Sequence, residues 1–416
     1  MANMNSTFNP KLFIKIWIAF YIVIYSFPYP FSHIPLLSDL LLKYIVAIRD
    51  EFTFLIARSV LGHSDFIKPQ NNGSGDTTFD YVELISFPII ALILAVFVLV
   101  LFRKKPWITK LFSWSLIYAR YHVGLILISY GVAKFMAGQF PGPSIYTLEQ
   151  TFGESSPMGL AWRFFGYSDT YKIFMGLSEI SAGILLLFRR TAVLGALLAI
   201  AVTTNIVLVN FSFDVPVKIM SSHLLLFSIL ILSPSIKVLL DFFILQKPAK
   251  LQTPGTYWKT KTQHRLWLGG KLLFAVLIPL MMIVGHFTAQ TLMKRSSNQW
   301  EGAYSFSHNN LPDSAGVYWT NVIIDQKSLS VKTSGKNSHY YTIEDFNEDG
   351  EIHFVRTGKQ EDPYLLKIIE NHDGQYQFLV TLGNKEMDIN TNRKMKSDYF
   401  LMQRGFNWVN EYPLNR

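Results

Sequence analysis

The sequence predicts an α-helical transmembrane bundle of about seven helices followed by a small extracytoplasmic all-β barrel or sandwich. Three observations carry this. Half of the 416 residues are hydrophobic and 15% are aromatic, against 16% charged, too apolar a balance for a soluble chain of this length. Apolar runs near the ~20 residues that a bilayer core demands recur through the first 296 residues. From Trp300 onward the long runs give way to short alternating ones separated by Asn, Asp, Gly and Lys.

The helices are predicted at 12–30, 82–102, 112–136, 169–188, 191–212, 217–235 and 267–293. The first, "KLFIKIWIAFYIVIYSF", has no small-x-small cleavage site after it and reads as an uncleaved anchor. Lys11 and Lys15 precede it, "RKKPWITK" separates the second and third helices, Arg189 and Arg190 the fourth and fifth, and Lys247, Lys250, Lys259 and Lys261 the sixth and seventh. Basic loops stay on the cytoplasmic side. The expected topology is therefore an integral protein of the cytoplasmic (bacterial inner) membrane, N-terminus inside, with loops 31–81, 137–168 and 213–218 and everything after the last helix outside, or periplasmic. Within 31–81, apolar residues at helical spacing predict an amphipathic interfacial helix.

Residues 297–416 hold 12 Lys and Arg against 16 Asp and Glu, net −4, so residues 1–296 carry +13 of the overall +9. The basic half matches cytoplasmic loops, and no basic, aromatic-interleaved patch points to nucleic acid. The strands expected after Trp300 are "EGAYSFS", "GVYWTNVIID", "SLSVKT", "HYYTIEDF", "EIHFVRT", "YLLKIIE", "YQFLVTL" and "YFLMQRG". The ending, with Trp408, Tyr412 and Pro413, reads as an aromatic latch over the sheet, with a ligand site as the other reading. The organisation expected is N-terminal helices with an outer amphipathic loop (1–110), a helical module (111–240), a cytoplasmic loop and last helix (241–296) and the β-domain (297–416).

Ionisable groups in hydrocarbon cost a few kcal/mol and mark partners or pathways. On the predicted topology, Lys134, Asn205, Asn210, Asp214, Lys218 and His223 share one depth in the outer leaflet, and Glu179 lies a turn or two deeper, near mid-membrane. Tyr130 shares a helix face with Lys134. Each has a plainer reading: Lys134 and Lys218 snorkel to headgroups, as Arg120 does on the inner side; Asn205 and Asn210 glue helices; His223 is a satisfied structural group. Their shared depth favours a pocket, in which Glu179 and His223 are the candidate catalytic residues and Tyr130, Lys134, Asn205, Asn210 and Lys218 the ligand-binding ones. No spacing such as HExxH predicts a metal site, and with no cysteine the chain has neither disulfides nor thiol chemistry.

The stretch "ISYGVAKFMAGQFPGPS", then "GLSEISAGILLLFRRTAVLGALLAIAVTTNIVLVNFSFDVP" and the following histidine helix, resembles the DoxX-like membrane proteins over about residues 110–240. That family's four-helix module has a Y/F-G-x-x-K end to its first helix, met here by Tyr130, Gly131 and Lys134; an E-x-x-x-G face, met by Glu179 and Gly183; a basic turn, met by Arg189 and Arg190; and an asparagine, met by Asn205 with Asn210. A more distant likeness is to the helical domain of vitamin K-dependent carboxylase-like proteins, which also carry a β-rich extramembrane part. This chain adds three further helices and a β-domain to the short module. The resemblance implies a membrane subunit associated with redox systems, as DoxD-type relatives belong to thiosulfate:quinone oxidoreductase. Three functions follow as expectations: a redox-associated component, an oxidoreductase subunit at most, binding a quinone-like or isoprenoid ligand; a non-catalytic scaffold whose β-domain binds an envelope protein; or a small-solute transporter.

Overall fold

A computed structural model of the chain describes residues 9–33, 41–62, 66–69, 73–135, 138–248, scattered positions of 260–284, and, from 298 to 412, all but four loops at 307–318, 335–337, 358–363 and 371–374 and the pair 383–384. In chain order the helices are α1 (Pro10–Ser26), α2 (Ala47–Ser59), α3 (Thr78–Phe102), α4 (Leu111–Phe135), α5 (Ile145–Glu149), α6 (Pro157–Tyr167), α7 (Asp169–Leu187), α8 (Ala192–Ser212), α9 (Lys218–Leu232), α10 (Ile236–Phe243) and α11 (Phe400–Gln403). The strands are β1 (Gly302–Phe306), β2 (Trp319–Asp325), β3 (Ser328–Thr333), β4 (Ser338–Phe346), β5 (Glu351–Arg356), β6 (Tyr364–Glu370), β7 (Tyr376–Leu382) and β8 (Lys385–Lys394). The chain divides into a helical unit, Met1–Phe140 with Leu160–Ala289, and a β unit, Pro141–Gly159 with Gln290–Arg416.

In the helical unit, five helical stretches among the described residues are long and apolar enough to cross a membrane: Thr78–Phe102, Ile108–Lys134, Asp169–Leu187, Ala192–Ser212 and Lys218–Phe243. α1 has 17 residues and begins with Asn9 capping the Leu12 amide at 3.2 Å, the ordinary way an orphan N–H is satisfied. α3 opens on a Thr77–Asp80 capping box. Most of the seventh predicted helix, 267–293, lies outside the described residues.

The core of this unit depends on small residues. A Cβ at Gly131 would sit 2.6 Å from the Gly176 carbonyl oxygen, and one at Gly183 would sit 2.5 Å from that of Gly124. Gly124 thus faces Gly183 and Gly131 faces Gly176, which makes α4 and α7 antiparallel and brings their backbones together at two points seven residues apart on each helix. Small-residue seams allow this approach where larger side chains would hold helices apart. Around the seam Ile22, Ala119, Leu127, Leu186, Ala199 and Phe227 are all buried.

The β unit is a closed barrel in which every strand pairs antiparallel with its neighbour and β8 returns to β1, Ala303 opposite Lys394. Eight strands leave an interior just wide enough for side chains or one small ligand. Here Tyr304, Val322, Ile352, Phe354, Leu366 and Phe378 point inward and are almost fully buried. The barrel resolves the open choice between barrel and sandwich. It also corrects one strand: "YFLMQRG" is not a strand but the tyrosine before α11, that helix and its exit, and the eighth strand is "KEMDINTNRK". β8 carries too few apolar residues to register as a strand from composition; of its described side chains, those of 389–394, Ile389 and Thr391 are buried.

Residues 141–159 belong to the β unit. Ser144 caps α5, Ile145 is 1% exposed against Ala303 and Ile323 on the outer face of β1 and β2, and the Lys332 ammonium donates to the Glu149 carbonyl at 3.0 Å. The Glu149 carboxylate accepts from the Tyr399 hydroxyl at 2.6 Å and from Lys394 at 3.4 Å. Burial and the Glu149 bond together push the Tyr399 hydroxyl well above its ordinary pKa. A segment between two helices therefore straps the barrel wall.

Candidate functional site

The glycine seam sets up the central feature of the helical unit. Each Cα–Cβ bond tilts toward its own helix N-terminus, so on antiparallel α4 and α7 the Lys134 side chain leans back toward Gly131 and that of Glu179 toward Gly176. They meet: the Lys134 ammonium donates to both carboxylate oxygens, at 2.7 and 2.9 Å. Their side chains are 6% and 3% exposed. Lys134 does not snorkel outward, since its stem spans the turn that separates the two residues in depth.

This pair lines a cavity of about 400 Å³, within the usual size range of small-molecule sites. The rest of its wall is aromatic, aliphatic and amide: rings such as Phe140, Trp162 and Phe165, aliphatic side chains of α8 such as Val202 and Ile206, the α8 amides of Asn205 and Asn210, and Gln139, four residues beyond the end of α4. Gln139 Oε1 is buried and accepts no hydrogen bond among the described residues. Asn205 is exposed to the cavity and makes no hydrogen bond there, whereas the Asn210 amide donates to the Val217 carbonyl at 3.5 Å. An ammonium with a third N–H, three amides and several rings thus converge on one space.

The structure separates the other candidates from it. His223, on α9, is absent from the cavity wall. Its Nδ1 lies 2.7 Å from the Ile219 carbonyl oxygen, which only accepts, so Nδ1 carries the proton and Nε2 accepts from the Tyr21 hydroxyl at 2.6 Å. The ring stacks on Tyr25 with centroids 3.8 Å apart. His223 is therefore a satisfied group in an aromatic cluster that also takes in His122 and Phe227. Tyr130 donates to the Met220 sulfur at 3.5 Å and also stands apart from the cavity.

Lys218 is held at the turn before α9, 2.8 Å from Asp214 and 3.8 Å from Asp76. Asp76 is the residue that sequence reasoning missed here. Its carboxylate accepts the Lys218 and Ile219 backbone amides at 2.7 and 3.0 Å, so an acid 142 residues upstream caps α9. The Gly75 amide adds a bond to the Pro216 carbonyl at 2.8 Å. The sequence of loop 73–77, Gly-Ser-Gly-Asp-Thr, shows only turn residues, because a cap supplied from another loop leaves no local signature.

A helical unit with, among the described residues, five helices of membrane-crossing length, and an eight-stranded barrel define the architecture. One stretch of 103 residues is 42% identical to the uncharacterized protein YwoB of Bacillus subtilis (strain 168). That alignment covers 25% of this chain and 65% of YwoB, so the chain spans less than two thirds of the relative's length. No family model matches the chain, and no solved structure matches it.

Proposed function

We propose that the helical unit is a DoxX-like bundle of the cytoplasmic membrane, N-terminus inside and barrel outside, and that the Lys134–Glu179 cavity binds the headgroup of a quinone-type or other isoprenoid ligand as part of a redox system. The observation that carries this is the buried ion pair on the wall of a space otherwise lined by aromatic, aliphatic and amide side chains. Lys134 keeps an N–H to donate to a quinone carbonyl, Asn205 supplies a second donor, and Trp162 or Phe165 offers a face for the ring. Oxidation of a bound quinol to the quinone releases two protons and two electrons: Glu179 would take one proton, the other would leave to water, and the two electrons would pass to a redox-active partner protein. α3, apolar over a membrane-crossing length and with most of its residues uncovered by protein, supports the membrane reading.

The test is extraction of lipid from protein purified from its native membrane. Quinone is expected to co-purify with the wild-type chain and to fall several-fold with Asn205→Leu, which touches the cavity without breaking the ion pair. Wild-type protein free of isoprenoid would overturn the reading. One observation favours a second one, a non-catalytic scaffold: Lys134 and Glu179 already satisfy each other's charge. In that case, replacing both leaves every phenotype intact while loss of the barrel removes it.

A further inference from the structure

The end of the β unit carries an apolar surface that the barrel does not use. Tyr399 is fixed from two sides, by its bond to Glu149 and by the Lys394 ammonium 3.7 Å above its ring. Beyond α11 the chain turns outward through residues 404–412. Phe406, Trp408, Val409 and Tyr412 are 79%, 91%, 73% and 85% exposed. The latch expected from the sequence is thus absent: these rings do not close over the sheet. Nor is the loop without internal order. Arg404 bonds Asn410, the Asn407 amide donates to the Gly405 carbonyl at 2.9 Å and that of Asn410 to Asn407 at 3.2 Å, and Phe406 meets Trp408 edge to face at 5.0 Å.

We propose that this loop is a membrane-interface anchor, inserting its aromatic side chains among lipid headgroups. Three features favour lipid over protein as the occupant. Trp, Tyr and Phe beside cations are the residues that settle at the headgroup level, and around this tip Lys394, Lys396 and Arg404 outnumber Asp398 and Glu411, although 297–416 as a whole is net −4. A protein partner would need a face complementary to these separate side chains, whereas insertion into a fluid layer needs none. The β unit is also joined to the helical unit at three chain crossings, after Phe140, after Gly159 and after Ala289, so a bilayer around the helices is held at high effective concentration. This last point rests on the membrane reading of the helical unit.

The chain has no cysteine, so single-cysteine labelling needs no background removal. Phe406→Cys and Val409→Cys, which keep Trp408, and Glu344→Cys on the exposed wall of β4 as reference, are labelled with an environment-sensitive fluorophore. The full-length protein is then placed in phosphatidylcholine vesicles containing one quarter phosphatidylglycerol. Labels at 406 and 409 are expected to be blue-shifted, quenched by headgroup-proximal nitroxide lipid, and several-fold less quenched by aqueous iodide than the label at 344. Alkaline carbonate extraction separates the two possible failures. Protein released by carbonate refutes the membrane reading. Protein retained with all three labels equally open to iodide refutes the anchor and leaves the tip as a surface for a protein partner.

Discussion

Removing one member of the Lys134–Glu179 pair should be far more damaging than removing both. The two side chains are 6% and 3% exposed, and both carboxylate oxygens are engaged by one ammonium, so solvent offers no substitute when a partner is lost. Breaking a buried pair from one side costs about 3–5 kcal/mol, because an uncompensated charge stays behind, whereas replacing both by apolar groups of similar volume is neutral or stabilising by about 1–4 kcal/mol. Lys134→Met keeps the stem and strands the carboxylate; Glu179→Gln keeps the shape and strands the ammonium. Each is expected to lower the folding equilibrium constant about 100- to 1,000-fold or more. Lys134→Met with Glu179→Leu is expected to return to wild-type stability or better. Denaturant unfolding in detergent micelles, followed by tryptophan fluorescence across the full cycle, measures this. Single variants within about 0.5 kcal/mol of wild type, or a double variant equal to the sum of the singles, would show that the pair does not form in the folded protein. The same double variant also tests function: if it folds and still retains isoprenoid, the charges do not bind it.

Gly183→Val places a side chain where the Gly124 carbonyl lies 2.5 Å from the new Cβ; overpacking of this kind costs about 1–3 kcal/mol or more, and an unchanged melting midpoint would rule out the glycine seam. Asp76→Ala removes two amide caps from α9, an expected loss of about 1–2 kcal/mol, with Asp76→Asn recovering part; equal stability of all three chains contradicts the cap. Ile145→Ala empties a site that is 1% exposed, at about 2–5 kcal/mol, and should make residues 141–159 cleavable by protease at concentrations that leave the wild-type strap intact.

Much of the helical unit was legible because a period of 3.6 and an apolar run are local signals. α7 and α8 begin and end within a residue of their predicted bounds. Glu179 and Lys134 were both visible as anomalies, since each is an ionisable residue in an apolar run. Their union was not, because depth along a helix says nothing about a lysine stem leaning toward its own N-terminus. The reverse holds for His223, whose shared depth with Lys134 hid that it faces Tyr21, 202 residues away. Gln139 looked like an ordinary loop residue; its unanswered carbonyl appears only once the cavity exists. In the barrel, seven strands announced themselves by alternation, and β8 did not, because its polar face dominates its composition. Contacts made across long sequence separations are what the chain order cannot display.

The strap over the barrel also imposes an order on how the protein is made. Residues 141–159 leave the ribosome 235 residues before Lys394, the last residue of the strand that closes the barrel. At ordinary elongation rates that is an interval of roughly 12 to 47 seconds. Throughout it, Ile145 has no completed surface to cover and Glu149 has neither Tyr399 nor Lys394 to meet. A message broken between the codons for α10 and those for β8 therefore yields every helix through α10 but an open sheet and an unattached strap. Docking of the strap thus waits on the last strand and on Tyr399 beyond it, although the strap itself is translated far earlier.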